Sequence, residues 1–150
     1  MKHASFVVVL VAAALLGCEQ SAQPPVEVSD VELFGALPGS AASVGYMTLT
    51  NNTDSVIGIT GVSSSAFGKV EMHETTLTNG VARMRRVTTL TVKPHDSVLL
   101  SRGGLHLMLM EPSPDATIGQ SITLTLRYDG GGEVLVHAPL RSRNTTDERH

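Results

Sequence analysis

From residue 44 onward the chain reads as short alternating runs broken by glycine, proline, asparagine or aspartate, with no stretch of helical period. "VGYMTLT" alternates as a strand, "NNTDS" turns, and "VIGITGV" reads as its partner, so residues 44–62 predict a hairpin. "KVEMHETTL" sets Val70 and Met72 on one face and Glu71 and His73 on the other; "TNG" turns it towards a further strand, "VARMRRV". "TLTV" is broken by "KPHDS", and "SVLL" leads through Gly103-Gly104 into "GLHLMLM". "SITLTLRYDGGGEVLVHAPL" gives two apolar strands around a glycine-rich turn, a second hairpin. About eight short strands at this spacing predict an all-β sandwich or barrel with Greek-key connections.

The two ends do not share this pattern. "MKHASFVVVLVAAALLGCEQ" has a basic start at Lys2, an apolar stretch from Phe6 to Leu16 too short to span a bilayer, and then small residues. That is the layout of a secretory signal. "LLGC" resembles a bacterial lipobox, in which Cys18 is lipidated and becomes the first residue of the mature protein. Glu19 follows where an inner-membrane retention signal would have Asp, so inner and outer membranes both stay open. The expected organisation is a lipoprotein signal over residues 1–17, a lipidated tether over 18–28 stiffened by Pro24-Pro25, one β-sandwich domain over 29–140, and a polar tail over 141–150.

Composition narrows the chemistry. Cys18 is the only cysteine, so once acylated it leaves no thiol for a disulfide, a redox pair or a metal. Eleven Lys and Arg against fourteen Asp and Glu give a mildly acidic chain, and no nucleic-acid partner is expected. No serine or threonine stands in a nucleophile elbow, and the glycines mark turns and form no phosphate-binding loop. Glu71 and Glu74 read as solvated strand residues. Nothing here predicts an enzyme.

A metal is better supported. In "GGLHLMLMEP", Leu105, Leu107 and Leu109 share the face expected to be core, while His106, Met108 and Met110 share the other. Thioethers suit Cu(I), and imidazole binds copper in either oxidation state. By itself a His-x-Met pair packs more often than it binds. Two further positions shift the balance: His73 lies opposite the Val70/Met72 face, and Met84 sits between Arg83 and Arg85, where a thioether gains least from packing. A hairpin would bring His73 and Met84 together, and a third strand carrying His106 and Met108 would complete two nitrogens and two sulfurs.

These positions run His73, ten residues, Met84, twenty-one residues, then His106-x-Met108. With the text "VEMHET", "NGVARMRRV" and "GGLHLMLMEP" around them, they resemble the signature of the PCuAC family of periplasmic copper(I) chaperones. The resemblance covers residues 28–138 and implies a cupredoxin-like Greek-key β-sandwich with a shallow site for one Cu(I) per chain. It also implies delivery of copper to an acceptor such as the copper A centre in cytochrome c oxidase subunit II, or an assembly factor. Some relatives carry a His- and Met-rich tail with a Cu(II) site; here the tail offers only His150. Met47 and Met72 read as core, Met110 as a spare or supporting thioether, His95 as a turn residue, and His137 as the end of a strand. A blue-copper electron carrier would need a cysteine thiolate that the mature domain lacks. A structural lipoprotein without metal, or a copper storage protein, stands as the alternative.

Overall fold

A computed structural model describes residues 23–143, and these are built almost entirely of β-strands. The strands are β1 (Val26–Phe34), β2 (Ala42–Asn51), β3 (Ile57–Ser63), β4 (Phe67–Thr78), β5 (Val81–Val87), β6 (Leu90–Val92), β7 (Ser97–Leu100), β8 (Leu105–Pro112), β9 (Ser121–Tyr128) and β10 (Gly132–Arg141). Hydrogen bonding orders them β5-β4-β8-β2-β1-β10-β9-β3-β6, with β7 also paired to β2. Only Leu33↔Leu140 and Phe34↔Arg141 join β1 to β10, in parallel, and at this narrow seam the sheet passes from one layer to the other. Inward side chains of the first layer (Leu33, Met47, Leu49, Leu107, Leu109) meet those of the second (Ile59, Ile122, Leu124, Leu126) in one core. The expected all-β sandwich is the observed architecture.

Alternation drives this packing. In β9, Ile122, Leu124 and Leu126 are buried while Ser121 and Arg127 are exposed, and β10 buries Val136, Ala138 and Leu140 in the same rhythm. Both predicted tight turns form. Thr78 pairs with Val81 across Asn79 (φ 52°) and Gly80 (φ 76°), the two successive left-handed residues that a two-residue hairpin loop requires. The β9–β10 hairpin closes through Asp129–Gly131, and the Asp129 carboxylate accepts the Gly58 N–H at 2.9 Å, tying the turn to β3.

Other expectations need correcting. Residues 44–62 do not form a hairpin: β2 pairs with β1, β7 and β8, and β3 pairs with β6 and β9. β2 lies in the first layer and β3 in the second, so the turn between them crosses the sandwich and closes no ladder. Buried Asn51 fixes the crossing, its amide donating to Ser55 O at 2.7 Å and Val92 O at 3.1 Å while its carbonyl accepts the Thr53 N–H at 2.9 Å. The sandwich also begins earlier than its expected start at residue 29, because β1 opens at Val26 and residues 26–28 are sheet. Likewise Arg141, placed in the tail, ends β10. The lipobox Cys18, the signal segment and His150 lie outside the described residues.

Candidate metal centre

The outer face of the first layer carries the predicted donors, and strand register explains how. In the antiparallel β4–β8 ladder His73 stands opposite His106, and Glu71 opposite Met108. In β4–β5 Thr75 stands opposite Met84 and His73 opposite Arg86. Directly opposed residues project to the same side, as do alternate residues along one strand. His73, Met84, His106 and Met108 therefore share one face, with Glu71, Thr75 and Arg86 among them. The inward-pointing neighbours Met72, Leu107 and Leu109 are core, and they hold the ladder in this register.

Met84, His106 and Met108 line one hollow of about 320 Å³, together with Val44, Tyr46 and Thr75. A larger hollow of about 620 Å³ adjoins it across Tyr46, where Arg102 lies over the Phe34 and Tyr46 rings, but its one thioether, Met47, belongs to the core. The donors differ in access: His106 is 5% exposed, whereas Met84, on edge strand β5, is 55% exposed. The His73 and His106 rings meet edge-on, with centroids 6.1 Å apart and planes at 68°.

Hydrogen bonds orient both rings. His106 Nδ1 lies 2.9 Å from Gly104 O. A carbonyl only accepts, so Nδ1 carries the proton and Nε2 keeps its lone pair for a ligand. His73 Nε2 lies 3.0 Å from Glu71 Oε2, and its Nδ1 is buried with no hydrogen-bond partner. Leaving a polar atom in that state costs about 1–3 kcal/mol, a cost that a bound cation would remove. Glu71 departs from the solvated residue expected: it is 9% exposed and contacts Lys69 Nζ at 3.0 Å and Arg86 Nη1 at 3.2 Å. Hydrogen bonds from Lys69 and then His73, with the charge of Arg86 adding to them, hold its carboxyl below the usual carboxylate range against the opposing effect of burial. Nothing in the alternation marks Glu71 for burial; the cations arrive from a neighbouring position and the next strand. Glu74 is partly exposed and pairs with Arg85.

Remaining candidates fall elsewhere. Met110 lies opposite Ala42 and Lys69, further along β8 and outside the lining of the hollow. His95 is exposed in its turn beside Asp54 at 2.8 Å. His137 is in the middle of β10, not at its end, and shares a hydrogen bond with Thr123 Oγ1 on β9 at 2.9 Å. Among the described residues no three His, Cys, Asp or Glu side chains gather as a metal-binding group; the soft donors available on this face are the thioethers of Met84 and Met108. Two imidazoles and two thioethers make a soft, neutral donor set matched to a monovalent cation.

The fold is that of known PCuAC domains. The chain superposes on the copper-bound PCuAC domain of PmoF2 with a TM-score of 0.66 and 24% identity, covering 81% of this chain and 97% of that one. The apo form of the same domain gives 0.64 at 25% identity, covering 81% and 93%. The Cu(I) form of DR1885 from Deinococcus radiodurans gives 0.64 at 26% identity, covering 83% of each chain. In sequence, "Putative lipoprotein Lxx21020" of Leifsonia xyli subsp. xyli is 31% identical over 147 residues, spanning 91% of this chain and 87% of the relative. The family model described as "Putative lipoprotein LpqE-like" matches residues 26–140, which is the whole sandwich but for its last residue, and the chain belongs to that LpqE-like family.

Proposed function

We propose that this chain is a copper chaperone of the bacterial envelope, anchored by a lipid on Cys18 and facing the periplasm. It holds one Cu(I) through His73, Met84, His106 and Met108. It passes the ion to an acceptor such as the copper A centre of cytochrome c oxidase, and it catalyses no reaction. The observation that carries this reading is the register of β4, β5 and β8, which gathers two imidazoles and two thioethers on one face of a rigid sheet. Similarity to solved PCuAC domains, two of them in copper-bound form, supports it.

The geometry also suits release. All four donors are neutral, so copper is held without a thiolate in an oxidising compartment. Met84 is the most accessible donor and stands on an edge strand whose free side faces solvent. An acceptor's ligand replaces Met84 first, while buried His106 keeps its hold until the new bonds form. Ion transfer thus proceeds by exchange at the exposed corner and never passes through free Cu(I).

The test is an anaerobic titration of residues 18–150 carrying Cys18→Ser with Cu(I) in competition with a chelator. One equivalent should bind per chain, and His73→Ala and His106→Ala should each weaken it. Wild-type retention of chelator-bound copper, with no transfer to the protein, would leave a structural lipoprotein as the better reading.

A further inference from the structure

We propose that Glu71 is a positioning residue for this site: it fixes the His73 ring with its proton on Nε2, so that His73 offers copper Nδ1 whereas His106 offers Nε2. The inference rests on the copper reading above.

The two carboxylate oxygens of Glu71 have separate duties. Oε1 receives both cations, Lys69 Nζ at 3.0 Å and Arg86 Nη1 at 3.2 Å. Oε2 is left for His73 Nε2 at 3.0 Å. The carboxylate is the acceptor of this contact, so the shared proton belongs to Nε2 and the nitrogen open to a metal is Nδ1. That Nδ1 is buried and unpartnered. A histidine serving only the fold would be expected to use both nitrogens, as buried polar atoms do. Here one nitrogen is committed to a carboxylate and the other is kept from every protein acceptor and donor.

Register makes the arrangement possible. Glu71 shares the His73 face of β4 and stands opposite Met108, so one carboxylate adjoins a nitrogen donor on its own strand and a sulfur donor on the next. Arg86 reaches it because Arg86 is the cross-strand partner of His73 on β5. A carboxylate on the second nitrogen of a ligating imidazole sets the ring's direction and raises its basicity. His106 receives the equivalent service from the Gly104 carbonyl.

Long-range ¹H–¹⁵N NMR of residues 18–150 carrying Cys18→Ser reads the ring tautomers with and without Cu(I). The copper-free protein should show His73 as the Nε2–H tautomer, and Cu(I) should then perturb Nδ1 of His73 and Nε2 of His106. Glu71→Ala should give a mixed tautomer and weaken Cu(I) by about 10- to 100-fold. Glu71→Gln, whose amide carbonyl still accepts the Nε2–H, should restore the tautomer and most of the affinity while losing the Lys69 and Arg86 ion pairs. An Nδ1–H tautomer in the parent protein, copper on His73 Nε2, or undiminished affinity in Glu71→Ala would overturn the assignment even though copper binds. If either variant fails to fold, the parent spectrum still decides. If the parent binds no Cu(I), the copper reading falls and this inference falls with it.

Discussion

His73 on β4 and His106 on β8 are direct cross-strand partners, and their rings meet edge-on at 6.1 Å with opposite nitrogens engaged by the protein. Both residues sit in strands, and the His106 ring is also held by the carbonyl of Gly104 in the turn before β8. The ladder that carries them is held from below by Leu107 and Leu109, so the spacing of the two rings is fixed by the core itself. The apo-domain should therefore be folded and dispersed by NMR, with copper raising its thermal stability by mass action. An unfolded apo-domain would mean that the metal is structural.

Core and site should separate under mutation. Leu109→Ala, at a position 0% exposed, should cost about 2–5 kcal/mol in an unfolding titration. Met84→Ala, at a position 55% exposed, should lie within about 0.5 kcal/mol of the parent. Comparable losses for both would make Met84 a packing residue and remove it from the donor set.

The thioethers should select the oxidation state. Cu(II) prefers nitrogen and oxygen in a tetragonal arrangement, and His73 and His106 alone can still offer it two nitrogens. Met84→Ala combined with Met108→Ala should weaken Cu(I) binding by orders of magnitude and leave weak Cu(II) binding nearly unchanged. Parallel titrations with each ion, beside an unfolding curve, check this. Equal loss of both ions would point to collapse of the face.

Much of the fold was legible because one face of most strands must be apolar. The β4–β5 and β9–β10 hairpins follow from alternation plus "NG" and "DGGG" turns. β1 was hidden because a bulge at Asp30 (φ 52°) shifts its register between Ser29 and Glu32 and breaks the period. The supposed β2–β3 hairpin failed for a different reason: adjacency in sequence does not say whether a turn keeps the chain in one layer or carries it to the other. The shared face of His73, Met84, His106 and Met108 was readable from residue type and spacing. Glu71 was not, because a carboxylate on a polar face reads as solvated until strand pairing brings Arg86 beside it.

Anchoring can be tested apart from the metal. Cys18→Ser should release the protein from membranes or leave it as an uncleaved precursor, read by fractionation and mass spectrometry. Parent protein found wholly soluble and without an acyl chain would contradict the anchor.

The proposed copper site is tested most directly by X-ray absorption at the copper edge of the Cu(I)-loaded domain, which counts sulfur and nitrogen neighbours. The predicted shell is two sulfurs and two nitrogens, falling to one sulfur in Met84→Ala and to one nitrogen in His106→Ala. A shell without sulfur, or one unchanged by both substitutions, would contradict the assignment of His73, Met84, His106 and Met108 as the ligands.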